Sequence, residues 1–163
     1  MSTPRADRPR APEGYGYATE PEGMLAWTQV REALAAAEVY WIGSVRPDGG
    51  PHMHSIWGGF VADRLCFEGG ENTRWARNLT ADRRVAFGAA ASGLHITGRG
   101  KVVRAPMAEH FPALADNYAS KYDYRPETDD YWQVHPALVI ALDMSSLEAF
   151  AASPTRFTFE ETA

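Results

Sequence analysis

The run Val39-Tyr40-Trp41-Ile42-Gly43-Ser44-Val45-Arg46-Pro47-Asp48-Gly49-Gly50-Pro51-His52 decides the fold. Its first seven residues are rich in β-branched and aromatic side chains, so they read as a strand. Pro47-Asp48-Gly49-Gly50 is turn chemistry, because proline presets φ and glycine accepts a positive φ. The chain then returns as a second strand over about 51–61, turns at Ala62-Asp63-Arg64 and runs a third strand over 65–68. Three strands joined by short turns make an antiparallel meander.

Working outward, Leu25, Val30, Leu34 and Ala37 recur at helical spacing and predict a helix over 24–38. Downstream, Gly69-Gly70-Glu71-Asn72 stops the third strand, and Asn72 or Thr73 caps a short helix running to about Thr80. Strands are expected over 83–90 and 94–103, joined by Ser92-Gly93. The second of these alternates. Leu94, Ile96, Gly98, Gly100 and Val102 share one face, and His95, Thr97, Arg99 and Lys101 share the other, as in a half-buried antiparallel strand. A helix over 106–122 follows, split or kinked at Pro112, then a strand at 137–142, a short helix at 146–151 and a last strand at 156–160. Strands clustered in this way do not fit a parallel doubly wound sheet, where strand and helix alternate. The fold class is mainly β: a small antiparallel barrel with peripheral helices, closed so that no strand edge is left exposed.

Composition sets the boundaries. A chain of 163 residues, 45% hydrophobic and 23% charged, is an ordinary globular domain. The net charge is −5 and the basic residues are dispersed, apart from Arg5, Arg8 and Arg10, which argues against nucleic acid as a partner. No apolar run reaches the roughly 18 residues of a membrane span, and no apolar segment follows the N-terminus as in a secretory signal. The one cysteine, Cys66, makes neither an internal disulfide nor a cysteine-rich zinc site, and suits a reducing cytoplasm. Residues 1–20 hold three prolines, two glycines and few aliphatics, so they read as a flexible tail, mobile at least over 1–12, ahead of a domain at 21–163. Tyr15 and Tyr17 are candidates to dock on the body.

Phosphate-loop, nucleophile-elbow and zinc-helix patterns are absent. Cys66 lies in an apolar strand and reads as a core residue. His52 and His54, two apart on a strand, share a face; a metal pair is one reading and partnered rim histidines the plainer one, so no metal is assigned. In Thr73-Arg74-Trp75-Ala76-Arg77-Asn78-Leu79, helical spacing puts Arg74, Arg77 and Asn78 on one face. With a helix N-terminus and flexible glycines beside it, that face is a phosphate seat or, alternatively, a solvated arginine-rich surface. Phe111, Leu114, Tyr118 and Tyr122 form a helical stripe that reads as core, with Lys121 beside it.

These motifs, in this order, resemble the pyridoxamine 5′-phosphate oxidase-like split β-barrel proteins, and within them the flavin/deazaflavin (F420) oxidoreductases. Tyr40 to His52 is similar to their Y-W-[IL]-[GA]-T-V-R-x-D-G-x-P-H signature, and Thr73 to Leu79 to T-R-K-x-R-N-L. Tyr118 to Tyr122 is similar to Y-x-x-K-Y, and Ser153 to Phe159 to [DS]-P-T-R-[WF]-x-F. The resemblance covers about residues 25–160. It implies a six-stranded antiparallel split β-barrel (the FMN-binding split barrel) forming a homodimer, with F420 or FMN bound at the interface. The ring would be edged by His54, Ser55, Ile56 and Trp57, with Phe67 and Glu68 on the neighbouring strand. The phosphate would sit near Arg74, Arg77 and the 69–73 loop, with Thr73, Trp75 and Asn78 also in the cofactor site, and Tyr118, Lys121 and Tyr122 would help close the pocket.

Two positions depart from the pattern. Trp75 stands where the family often has a phosphate-binding lysine, and Ser55 where it often has proline. The implied function is hydride transfer between F420 or FMN and a small conjugated substrate, with chemistry supplied by the cofactor and no obligatory triad. A non-catalytic binding protein for a flavin, haem or another hydrophobic ligand on the same barrel is the rival reading.

Overall fold

The computed structural model describes residues 3–160; Met1, Ser2 and 161–163 lie outside the described residues. Strands β1 (Arg5–Asp7), β2 (Tyr40–Val45), β3 (Pro51–Ile56), β4 (Gly59–Val61), β5 (Arg64–Phe67), β6 (Arg84–Ala91), β7 (Leu94–Pro106), β8 (Asp130–Asp143) and β9 (Thr155–Thr158) form one sheet. Its helices are α1 (Trp27–Ala36), α2 (Arg74–Ala81), α3 (Phe111–Tyr122) and α4 (Leu147–Ala152). The strand order is β1-β9-β8-β7-β6-β2-β3, with β5 bridging β4 to β8, and every pair is antiparallel.

The mainly-β architecture and the meander match the sequence reading. Three details correct it. Among the described residues the sheet has nine strands rather than six, and it does not close into a cylinder. The strand expected over 51–61 is two strands, β3 and β4, separated by Trp57-Gly58. Finally, β8 starts at Asp130 and not at 137, because Tyr131, Trp132, Gln133 and Val134 are all buried and show no alternation to read.

The expected mobile tail is also modified. Arg5–Asp7 pair with Arg156–Thr158 as an added edge strand. Arg156 donates to both Asp7 carboxylate oxygens at 2.6 and 2.7 Å. Arg8 donates to the carbonyl oxygens of Glu20, Glu22, Ala152 and Pro154 over 2.6–2.9 Å. The tail carries little apolar surface, but charge-assisted hydrogen bonds hold it where hydrophobic burial would not. Tyr17 docks edge-on against Phe150 at 5.4 Å, with Tyr15 packed on it.

The main core lies between the sheet and α1. Val30 and Leu34 of α1 join Tyr40, Ile42, Phe87, Ile96, Val139 and Phe157. A second cluster, Cys66, Met107, Leu114, Tyr118 and Tyr131, fills the space under α3. Pro112 stands in the first turn of α3, after a 3-10 turn at Ala108–His110, where its missing N–H has no helical partner to lose. Among the described residues no helix is long and apolar enough to cross a membrane.

Between Arg99 and Gly100 the β7–β8 ladder slips by one residue, so Ala137 is left without a partner on β7. A Cβ on Gly100 would stand 2.0 Å from the His135 carbonyl oxygen. Gly100→Ala should therefore lower the unfolding free energy by about 1–3 kcal/mol in urea melts. Gly70→Ala, whose Cβ would meet nothing nearer than Thr73 at 3.9 Å, should stay within about 0.5 kcal/mol. Equal losses would contradict the backbone clash.

Hydrogen bonds from Arg156 hold the Asp7 carboxyl down at about 2 against an ordinary 3.8. A lowered carboxylate stabilises the fold above its unfolded value and loses that contribution as pH falls through the folded one. Amide exchange at Ala6 and Asp7 should accelerate between pH 4 and pH 2 relative to β7. Uniform acceleration would contradict this.

Candidate functional site

The helix α2 is fixed at both ends of its inner face. Thr73 caps it, its hydroxyl accepting from the Ala76 amide at 3.3 Å. Asn78 is buried and donates to the Ser44 hydroxyl on β2 at 3.1 Å. Trp75 is only 4% exposed and packs edge-on against Phe67 and Trp132. The expected face of Arg74, Arg77 and Asn78 is thus divided: the arginines point outward, and Asn78 and Trp75 face the interior. The two arginines line different hollows that share no residue.

Arg74 shares a hollow of 520 Å3 with Arg46, Pro47, Asp48 and His52, between α2 and the β2–β3 turn. The turn is held by Asp48, which accepts from the Gly50 amide at 2.9 Å. His52 also lines a larger trough of 650 Å3 on the outer face of β2, β3, β6 and β7. Pairing explains why this trough is open. Met53 lies opposite Gly43, Gly43 opposite Ala86 and Ala86 opposite Arg99, so the middle of the row carries almost no side chain. Gly100 and Ala137 extend the bare floor at the bulge, while Arg84, Arg99 and Lys101 add positive charge along one side. Two large apolar side chains, Met53 (70% exposed) and Trp41 (51% exposed), stand unburied on this part of the sheet. His52 Nδ1 is buried and has no hydrogen-bond partner.

The other residues chosen from the sequence are scattered. His54 and Ser55 are exposed on β3, Ile56 and Phe67 are buried, and Trp57 is exposed but stacked flat on Tyr122 at 4.7 Å. Glu68 lines a 420 Å3 hollow with Gly69, Tyr124 and Arg104. Of 54–57 and 67–68, only Glu68 lines one of these four hollows. The His52 and His54 rings lie 6.5 Å apart and nearly parallel, and among the described residues no group of three or more His, Cys, Asp or Glu side chains could hold a metal. Sequence reasoning did not select Arg46, Gly43, Ala86 or Ala137. Their role is set by strand register, which motif spacing does not reveal.

Lys121 is held by the fold. Its Nζ donates to the carbonyls of Gly58 at 2.6 Å and Ala37 at 2.9 Å, and to the Tyr40 hydroxyl at 3.2 Å. It therefore ties α3 to the end of α1 and to the break between β3 and β4. Burial pulls its ammonium down to about 8 from an ordinary 10.5, with Glu38 opposing the shift. Between those values the unfolded chain binds more protons, so stability from this group rises as pH increases from 8 towards 10. Thermal melts should show that rise in the native chain and its absence in Lys121→Met; parallel pH profiles would contradict it. Trp75→Lys should bury a charge where an indole packed, lowering stability by about 3 kcal/mol or more in urea melts. A neutral effect would place the Trp75 side chain at the surface.

The comparisons agree with this architecture. Residues 26–145 match the family model described as pyridoxamine 5′-phosphate oxidase. No curated protein sequence matches the chain. Among solved structures, an F420 reductase is 22% identical with a TM-score of 0.52, covering 74% of this chain and 98% of its own. A haem-binding protein from Mycobacterium smegmatis is 17% identical with a TM-score of 0.61, covering 83% of this chain and 63% of its own. A putative 5-nitroimidazole antibiotic resistance protein from Bacteroides thetaiotaomicron is 14% identical with a TM-score of 0.58, covering 80% and 83%. At these identities the structures share the fold alone. The family model spans most of the sheet, from α1 through β8, and on that match the chain belongs to the pyridoxamine 5′-phosphate oxidase family.

Proposed function

We propose that the chain is an oxidoreductase that uses F420 or FMN to pass a hydride to or from a small conjugated substrate, and that it works as a homodimer in the cytoplasm. The observation that carries this reading is the junction at His52, where an apolar trough meets a corner holding two arginines. A flavin-type cofactor joins a flat ring to a phosphate, and this pair of hollows offers each part its own surroundings. The bare floor at Gly43, Ala86 and Gly100 accepts a flat face without displacing a side chain. Arg46 and Arg74 supply the guanidinium groups that suit a phosphate, beside the positive end of α2. When bound, the cofactor supplies the ring that gives or accepts the hydride. The protein's own part is to orient that ring and exclude water.

The dimer reading rests on exposure. Trp41 and Met53 are large apolar side chains standing in water on the same part of the sheet as the trough. A second copy laid over this face would cover them and roof the cofactor. Light scattering should give twice the 18.0 kDa chain mass; a single chain mass would contradict it. The buried Cys66 thiol, pushed up to about 12 by burial, is inert and needs no oxidising compartment.

The near-parallel imidazoles of His52, at the edge of the trough, and His54 also suit a non-catalytic haem-binding role, and one structural neighbour is a haem-binding protein. Parallel titration with F420, FMN and haem separates the readings. Binding of F420 or FMN, weakened at least ten-fold by Arg46→Ala with Arg74→Ala at an unchanged melting temperature, supports the oxidoreductase. Haem binding alone overturns it in favour of the second reading. Binding of F420 or FMN unaffected by the two substitutions would remove the Arg46–Arg74 corner from the proposal.

A further inference from the structure

We propose an organic-cation site at the end of β5: the hollow bordered by Glu68, Tyr124, Asp130 and Trp132 takes a primary ammonium ion carried on a small apolar or aromatic body. The hollow measures 420 Å3, within the range of small-molecule sites. It shares no lining residue with the trough or with the Arg46–Arg74 corner, so this site stands or falls independently of the cofactor reading.

The charges around this hollow do not cancel. Arg104, also in its wall, is paired with Glu71 and, at 3.0 Å, with Asp130, and its guanidinium lies 5.9 Å from the centre of the Trp132 ring. One guanidinium between two carboxylates leaves that group negative. Glu68 is half-buried and forms no ion pair among the described residues. Its charge acts on the aromatic side chains beside it. It is the first cause holding the Tyr124 hydroxyl above its ordinary 10, and after burial it does the same to Tyr131. The link from α3 to β8 adds Asp123, Glu127 and Asp129 against Arg125, which is itself paired with Asp116 at 2.6 Å. An approaching cation therefore meets a field of one sign.

The backbone pre-forms the wall. Phe67 pairs with Trp132, which fixes where Glu68 leaves β5. Asp123 ends α3 in the left-handed region at φ 50°, and the chain beyond it brings Tyr124 against the buried Tyr118, with ring centres 6.3 Å apart. The Asp129 carbonyl accepts from the Met107 amide at 2.7 Å, tying the link to the residue that follows β7. The Thr128 hydroxyl accepts from the Asp130 amide at 3.2 Å, so it is already engaged at the rim.

The chemistry of the lining selects the cation. Among the described residues no group of three or more His, Cys, Asp or Glu side chains could hold a metal, so the hollow lacks the oxygen ligands a bare metal ion needs. A primary ammonium ion brings its own N–H donors, and a charge-assisted hydrogen bond to Glu68 offsets the half-buried carboxylate's lost hydration. Tyr124 stays 39% exposed at the hollow, and a tyrosine ring attracts a cation beside it. The same ring gives apolar contact to the body that carries the ammonium group.

Titration with phenethylammonium chloride at constant ionic strength, followed by amide NMR shifts, tests this. Phenethyl alcohol is the uncharged match, and tetramethylammonium is a cation without N–H donors. Phenethylammonium should bind at least ten-fold more tightly than either, with shifts centred on Glu68, Gly69 and the 124–130 link. Glu68→Gln should weaken it at least ten-fold and Tyr124→Leu about three-fold. Glu148→Gln, which removes an exposed charge on α4 outside the hollow, should leave it unchanged. Equal weakening by Glu68→Gln and Glu148→Gln would reduce the effect to net charge and overturn the site. Shifts centred on His52 and Met53, equal binding of phenethyl alcohol, or no binding by the native chain at millimolar ligand would also overturn it, without touching the cofactor reading. Should Glu68→Gln melt early, Glu68→Asp replaces it: that substitution keeps the charge but draws it back by one methylene, and unchanged phenethylammonium affinity there counts against the site.

Discussion

Between Arg99 and Gly100 the two longest strands slip by one residue, because the His135 carbonyl occupies the space where a side chain at residue 100 would begin. Much of the sheet hangs on that slip. Below it β8 pairs with β5 through 132–134, and beyond it β8 pairs with β9 through 138–141. One strand thus serves two edges, and the bulge is where it changes partner. Pro136 sits opposite Gly100, a place where its missing N–H is tolerated. The unpaired Ala137 offers its carbonyl to the Phe159 amide at 3.1 Å. The same slip leaves Gly100 and Ala137 bare at the trough, so the bend of the sheet and the opening of the site have one cause.

The helix α2 organises charge in a second way. Trp75 lies so close beneath Gly69 that a Cβ there would stand 2.5 Å from the indole. With Asn78 tied to Ser44, the helix cannot rotate without breaking buried contacts. Arg74 and Arg77 are consequently held outward toward different hollows, although they are three residues apart on one helix. A rigid inner face is what keeps neighbouring arginines turned toward different hollows.

Much of this was legible in the sequence. The β-branched run at 39–45, the turn at 47–50 and the alternation from Leu94 to Val102 encode local geometry, and the structure reproduces them. What could not be read has long-range causes. Tyr131, Trp132, Gln133 and Val134 are all buried, and a proline follows at 136, so this stretch shows no strand period. The order of Arg5–Asp7 depends on Arg156, far along the chain. Helical spacing alone put Asn78 with the arginines, while the interior position of Trp75 placed its neighbour Asn78 against Ser44. Lys121 reads as a solvated cation until α1 and the Trp57-Gly58 break are brought to it.

The central claim is that the trough and the Arg46–Arg74 corner form one cofactor site at His52. Diffraction from crystals grown with F420, and in parallel with FMN, tests it most directly. The account predicts a ring over Gly43 and Ala86 and a phosphate within hydrogen-bond distance of Arg74, under the face of a second copy. A ligand seated instead along 54–57 and Phe67, or a phosphate held by Arg77 on the other hollow, would contradict it.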